Sequence, residues 1–112
     1  MDCIFCKIAN GEIPSNKVYE DDKVVAFYDL EPQAPVHVLV IPKEHIASAA
    51  EINESNSAVI AHVFEVAAKI AKDLNLNEGF RIVNNCGDCA GQTVKHIHFH
   101  LMGGRDFGWP AG

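Results

Sequence analysis

The stretch His96-Ile97-His98-Phe99-His100-Leu101-Met102, followed by Gly103-Gly104-Arg105, decides the reading of this chain. Imidazole and apolar side chains alternate strictly, and a period of two is a β-strand signature. Alternate side chains of a strand share a face, about 6.5–7 Å apart. The pattern predicts a row of His96, His98 and His100 on one face, with Ile97, Phe99 and Leu101 pointing into an apolar layer. Three of the six histidines of the chain fall here. Three readings are open for such a row. It is the polar face of a half-exposed strand, or His-x-His grips zinc through neutral nitrogens. Alternatively, one imidazole, largely neutral at pH 7, attacks phosphorus or carbonyl carbon while a neighbour orients it or handles a proton.

The loop before the row is Asn85-Cys86-Gly87-Asp88-Cys89-Ala90-Gly91-Gln92-Thr93. Its glycines let backbone N–H groups turn toward an anion, and Gln92 and Thr93 add neutral donors. No lysine follows the glycines, so this is not a Walker loop. Alone it is a surface turn. Joined to three histidines, it favours phosphorus chemistry with a histidine nucleophile.

The chain has 112 residues, 48% of them hydrophobic, which suits one domain over 1–112 with one core. A formal charge of −6 argues against nucleic acid as a partner, which needs a basic footprint. No apolar run is long enough to cross a membrane. Met1-Asp2-Cys3-Ile4-Phe5-Cys6-Lys7 lacks the basic start and apolar stretch of a secretory signal. The expected compartment is therefore the cytoplasm, with the four cysteines reduced. They form two C-x-x-C pairs, Cys3/Cys6 and Cys86/Cys89, a spacing that suggests metal or redox chemistry.

Outward from the centre, Ile4 to Ala9 reads as a short helix stopped by Asn10-Gly11. Val18 to Glu20 and Val24 to Leu30 read as strands around an acidic turn. Glu31-Pro32-Gln33-Ala34-Pro35 must be a loop. Val36 to Ile41 is a strand with one polar residue, His37. Ser48 to about Leu74 reads as one long helix with a stripe of Val59, Val63, Val66, Ile70 and Leu74, widened by Phe64, Ala67 and Ala71. His62 falls off that stripe, as a solvated residue. Phe80 to Asn84 and Thr93 to Met102 are the last strands. The tail carries Phe107 and Trp109, aromatics that a partner subunit or the site could cover. The expected fold class is α+β, a mostly antiparallel sheet with the long helix packed on one face.

The run Gly91-Gln92-Thr93-Val94-Lys95-His96-Ile97-His98-Phe99-His100-Leu101-Met102-Gly103-Gly104-Arg105 resembles the histidine-triad (HIT) family of nucleotide-binding proteins. The segments Cys3 to Ile8, Glu12-Ile13-Pro14, Ala26 to Asp29, Pro32 to Pro35 and Val40 to Lys43 also resemble it. The ending Gly-Gly-Arg…Trp-Pro-x-Gly is closest to the Hint branch. The resemblance implies a HIT-like fold, a homodimer with joined sheets, and hydrolysis of purine nucleoside phosphoramidates. His98 would be the nucleophile that carries a nucleoside monophosphate. His100 would contact phosphate or leaving group, and His96, with His37 behind it, would set the tautomer of His98. Asp29 would bind the ribose. Leu30, Ile4, Phe5 and Ile8 would enclose the base, and Asn85, Gly91, Gln92 and Thr93 would line the phosphate. No metal would be needed for the chemistry. Bacterial relatives with a Cys-x-x-Cys start suggest a structural zinc on Cys3, Cys6, His45 and His96, a sound Cys₂His₂ set. Cys86 and Cys89 depart from the family pattern and are expected to be inert thiols, with a redox-sensitive pair as the alternative. Rival functions are dinucleoside polyphosphate hydrolysis, a nucleotide-binding or scaffolding module, and a zinc hydrolase built on the three triad histidines.

Overall fold

In the computed structural model, which describes residues 3–112, five strands form one antiparallel sheet in the order β1-β2-β3-β5-β4. Reading of the N-terminus at Met1 and Asp2 lies outside the described residues. The strands are β1 (Lys17–Glu20), β2 (Val24–Tyr28), β3 (Val36–Pro42), β4 (Phe80–Val83) and β5 (Phe99–Gly103). The helices are α1 (Ile4–Ala9) and α2 (Ser57–Asp73). The expected α+β arrangement, an antiparallel sheet with the long helix packed on one face, is what forms. Among the described residues, no helix is long and apolar enough to cross a membrane.

The two faces of the sheet carry different cargo. Val24, Ala26, Val38, Val40, Phe99 and Leu101 point to α2 and bury Val63, Val66, Ala67 and Ile70. Val25, Phe27, Leu39 and Ile41 point the other way and bury Phe5, Ile8 and Ala9 of α1. Strand alternation explains the division, since neighbours along β2 and β3 face opposite sides. Leu39 stands directly opposite His100 in the register, so the imidazole lies on the α1 face.

The long helical region is broken. A 3₁₀ turn covers Ala49–Glu51, and α2 starts only at Ser57. Between them the side chains of Asn53 and Asn56 take the bonds a helix would need. Asn56 Oδ1 accepts from the Asn53 N–H at 2.8 Å, and Asn53 Oδ1 accepts from the Ser55 N–H at 2.8 Å. Short polar side chains compete with the helical backbone in this way. His62 is not simply solvated: its Nε2 lies 2.7 Å from Asp21 Oδ2 and its Nδ1 3.3 Å from Glu65 Oε1. Phe64 is 47% exposed and packs only edge-on against Phe99, so it widens the buried stripe little.

The histidine strand is also shorter than its alternation predicts. Regular pairing begins at Phe99, opposite Val40. Two residues further along β3 stands Pro42, which has no N–H for a ladder. The Ile97 N–H instead donates to the Ile46 carbonyl at 2.6 Å, and the Pro42 carbonyl receives His96 Nε2–H at 2.8 Å. His96 and His98 therefore precede the ladder, and only His100 sits within it. Ile97, Phe99 and Leu101 are buried in the α2-side core, as the alternation requires.

Candidate active site and metal centre

His98 is almost completely buried, and its Nδ1 lies 2.8 Å from the backbone carbonyl of His96. A carbonyl oxygen can only accept, so Nδ1 must carry the proton. In the neutral ring, Nε2 then holds the lone pair. Asn84 fixes the backbone at the same place, donating from Nδ2 to the His98 carbonyl at 2.9 Å. Phe5 of α1 packs edge-on against the His98 ring with centroids 5.1 Å apart. Asn84 went unrecognised in the sequence because nothing local tells a bracing asparagine from an ordinary strand end.

His100 is set by a second chain of bonds. The Gln33 N–H donates to His37 Nδ1 at 3.0 Å. An N–H donor at Nδ1 leaves the His37 proton on Nε2. That Nε2 faces His100 Nδ1 at 2.9 Å, so His100 accepts there and carries its own proton on Nε2. Asp29 Oδ2 stands 3.5 Å from His37 Nε2, on the same proton. Burial, partly offset by Asp29, pushes the His37 pKa below its ordinary value. Burial and the neighbouring His98 and His37 push His100 down to about 4. Both rings are thus neutral near pH 7. His37 serves His100, not His98, whose tautomer is set by a backbone carbonyl. This replaces the expectation that His37 stands behind His96.

Asp29, His37 and His100 lie close enough together to suggest a metal site. The bond from Gln33 argues otherwise, because His37 Nε2 keeps its proton while Nδ1 accepts, and a protonated nitrogen cannot ligate. The three triad histidines converge on no common point either. His96 Nδ1 faces cysteines, His98 Nδ1 a carbonyl and His100 Nδ1 another imidazole. A zinc hydrolase built on all three finds no support in this arrangement.

His98 and His100 open into a cleft of about 370 Å³. Ile4, Phe5, Ile8, Asp29, Leu30 and Thr93 line it, all expected from the sequence. Ile13, Phe27, Leu39 and Val94 add apolar wall that the sequence reading did not assign. Leu30 is 96% exposed at the rim. Asp29 Oδ1 is held by the Glu31 N–H at 2.8 Å. Two larger depressions elsewhere on the surface contain none of the triad histidines.

Asn85, Gly91 and Gln92 are not among the residues that line the cleft. Gln92 is buried and spent on the loop itself. Its Nε2 donates to the Ala47 and Val94 carbonyls at 2.7 and 3.1 Å, and its Oε1 accepts from the Gly87 N–H at 2.9 Å. It shapes the loop rather than offering a free amide. Gly91, with φ +88°, turns the chain after the 3₁₀ segment Asp88–Ala90. Cys86 and Cys89 are exposed free thiols. The Ser48 hydroxyl and the Ala50 and Ala49 amides hold the Cys86 thiol below its usual pKa. A lowered pKa leaves more of this thiol as thiolate at a given pH.

On the far side of Phe5 lies a second cluster. Cys3, Cys6, His45 and His96 each bring one ligating atom to within 4.8 Å of the others. His96 Nδ1 lies 3.4 Å from Cys3 Sγ, 3.5 Å from Cys6 Sγ and 3.2 Å from His45 Nδ1. Cys6 Sγ is 3.3 Å from His45 Nδ1. A tetrahedral zinc site with bonds of about 2.0–2.3 Å has edges of roughly 3.3–3.8 Å, close to these separations. The tautomer also fits. His96 gives its Nε2–H to Pro42, so its Nδ1 lone pair faces the sulfurs, the usual outer-shell arrangement of a ligating histidine. Burial depresses the His96 pKa and keeps it neutral, as a ligand must be. A zinc ion held by these four donors would have no open position, the arrangement of a structural rather than a catalytic site.

A family model described as the HIT domain matches residues 10–107. The chain belongs to the HIT family. Within that family it is similar to the 14 kDa zinc-binding protein of Zea mays, 46% identical over 97% of this chain and 87% of that one. It superposes on a HIT family hydrolase from Legionella pneumophila with a TM-score of 0.97 and 48% identity, covering 99% of this chain and all of that one. A histidine triad nucleotide-binding protein from Candida albicans gives a TM-score of 0.83 and 40% identity, over 99% and 85% of the two chains. The matched span includes His37, His45 and the three triad histidines, and α1 precedes it.

Proposed function

We propose that this HIT protein is a nucleoside phosphoramidase that works through a nucleotidyl-histidine intermediate on His98. The observation that carries the reading is the pairing of opposite nitrogens in one cleft. His98 offers a lone pair at Nε2, and His100 offers an N–H two residues away. His98 Nε2 attacks phosphorus and the P–N bond breaks. The leaving nitrogen needs one proton, and the His100 Nε2–H is the donor on that side. Water then attacks the phosphorus of the intermediate, releasing the nucleoside monophosphate and returning a proton to the site. The developing charge on His98 is met by the His96 carbonyl at Nδ1–H.

The apolar walls of Ile4, Phe5, Ile8 and Leu30 suit a purine base, and Asp29 suits the ribose hydroxyls. The hydrolase and nucleotide-binding names of the relatives support the same class. Zinc held by Cys3, Cys6, His45 and His96 would pin α1 to the sheet and stiffen the wall that carries Phe5; no step of the reaction passes through it. We further propose a homodimer. Strand β4 pairs only with β5 and leaves one edge free among the described residues. Phe80, Phe64 and Trp109 are 44%, 47% and 87% exposed. An open edge beside exposed aromatics favours pairing with a second copy.

The test is hydrolysis of adenosine 5′-phosphoramidate by the wild type and by His98→Ala, with zinc assayed on the same samples. The expected loss is roughly 10⁴-fold or more, the scale on which a nucleophile is missed. A folded His98→Ala variant that keeps its activity overturns the reading. A wild type inactive on phosphoramidates but active on diadenosine polyphosphates would move the substrate. Reversible nucleotide binding without covalent labelling would make this a binding module.

A further inference from the structure

The chain of bonds behind His100 continues past His37. Gln33 gives its N–H to His37, and its carbonyl accepts from the Arg105 Nε–H at 3.1 Å. Arg105 follows β5 in the tail. Its Nη1 donates to the Asp106 carbonyl at 2.9 Å, and its guanidinium carbon sits 4.2 Å from the centre of the Phe107 ring. Arg81 approaches the same ring at 5.1 Å and donates to the Gly108 carbonyl at 2.9 Å. The guanidinium of Arg105 is thus held on a fixed aromatic platform. Gly104 is a second, independent sign that the tail is seated on the loop. It adopts φ +90°, and a Cβ there would fall 2.9 Å from Pro35 Cβ.

The Gln33 N–H, part of the Pro32–Gln33 peptide, has a consequence at the cleft. With its N–H on His37 Nδ1, the proton order runs Nε2–H of His37 to Nδ1 of His100, and His100 shows N–H to the cleft. With the Gln33 N–H turned away, only Asp29, 3.5 Å from Nε2, still favours a proton there, and His37 can hold its proton on Nδ1. Its Nε2 would then accept from His100 Nδ1–H, and His100 would show a lone pair to an anionic phosphate. The two arrangements are opposite in what they offer the substrate. Apart from His37, Gln33 is held by a local bond from its Nε2 to the Glu31 carbonyl at 3.0 Å and by Arg105 from the tail.

We propose that Arg105 is a positioning residue: by holding the Gln33 carbonyl it fixes the backbone of Gln33, whose N–H, on the preceding peptide, orders the protons of His37 and His100. The kinetic part of this proposal rests on the phosphoramidase reading; the tautomer part does not. Lysine is not an adequate substitute, because a planar Nε–H and a face stacked on Phe107 are both required.

The experiment uses the full chain, zinc-loaded and ¹⁵N-histidine labelled, as wild type, Arg105→Lys and Arg105→Ala. Long-range ¹H–¹⁵N correlation spectra report which nitrogen of each ring is protonated. In the wild type His37 and His100 are expected as Nε2–H; in both variants a Nδ1–H population should grow. Turnover is then compared for an alkylamine phosphoramidate and for a p-nitrophenyl ester of the same nucleotide, whose leaving group needs no proton. The variants should lose about 10–100-fold in kcat on the amine, part of what a positioned acid contributes, and far less on the ester. Unchanged tautomers, or equal losses on both substrates, overturn the proposal. If the wild type turns over neither substrate, the functional reading falls while the spectra still decide the role of Arg105.

Discussion

Replacing His100 by glutamine tests the buried, neutral imidazole directly. In the unfolded chain this ring titrates near 6.5, and in the fold burial and its histidine neighbours hold it at about 4. Between those values the unfolded chain binds a proton that the folded one refuses. Its contribution to stability is therefore complete above pH 6.5 and lost as pH falls through about 4. His100→Gln should flatten the decline of Tm between pH 6.5 and 4, measured by thermal melts across that window. A variant with the wild-type slope would place the acid sensitivity elsewhere. At the same scale, the roles of the three triad histidines diverge although their sequence contexts are nearly alike. One faces cysteines, one a carbonyl and one an imidazole, and those partners, not the motif, decide what each ring can do.

Helix α1 is only six residues long, and an isolated helix of that length does not hold itself. Phe5, Ile8 and Ala9 pack it on the sheet, and the Cys3–Cys6–His45–His96 cluster joins its start to the segment after β3 and to the triad. Cys3→Ser should bring zinc content below one equivalent. Tm should fall by roughly 10 °C, on a scale of about 4–8 °C per kcal/mol for a domain of this size. Residual turnover at a temperature where the variant is folded would separate a structural metal from a chemical one. Helix α2 is tied to the β1–β2 turn by His62. Both its nitrogens face carboxylates, Asp21 and Glu65, and the Tyr19 hydroxyl shares Asp21 at 2.8 Å. Hydrogen bonds to Asp21 and Glu65 raise the His62 pKa. This clasp contributes fully below pH 6.5 and is lost as pH rises through the raised folded value. His62→Gln should remove that alkaline decline and lower Tm by a few degrees near pH 6, read from melts at pH 6 and 8. An unchanged difference between the two pH values would count against the clasp.

For the molecule as a whole, the free edge of β4 and the exposed Phe80 and Phe64 carry the dimer proposal. Light scattering should give about twice the 12.2 kDa of one chain. Phe80→Asp should give the monomer mass with helix and sheet content intact, since the side chain is 44% exposed in the single chain. A Phe80→Asp protein that stays dimeric would move the interface to another face. Trp109 is 87% exposed and Phe107 rests on two arginines, so the tail reaches outward beyond the core.

The amino-acid order by itself determined the alternation of Ile97, Phe99 and Leu101 into the core, the short helix ended at Asn10, the strand order along the chain and the HIT resemblance. Those signals are local periodicities and stops, which any stretch of chain displays on its own. The HIT resemblance, and no periodicity, named Cys3, Cys6, His45 and His96 together, and most of the cleft wall. Only the tertiary structure decided where the histidine strand begins, because the missing N–H of Pro42 lies 57 residues from Phe99. Only it showed that Gln92 braces a loop, that Asn84 holds His98, and that His37 answers to His100. The physical reason is the same each time. An imidazole has two nitrogens and an amide two ends, and which one meets the substrate is fixed by bonds to groups distant in sequence. For His100 that partner sequence runs through His37 and Gln33 to Arg105, and no periodicity in the chain records it.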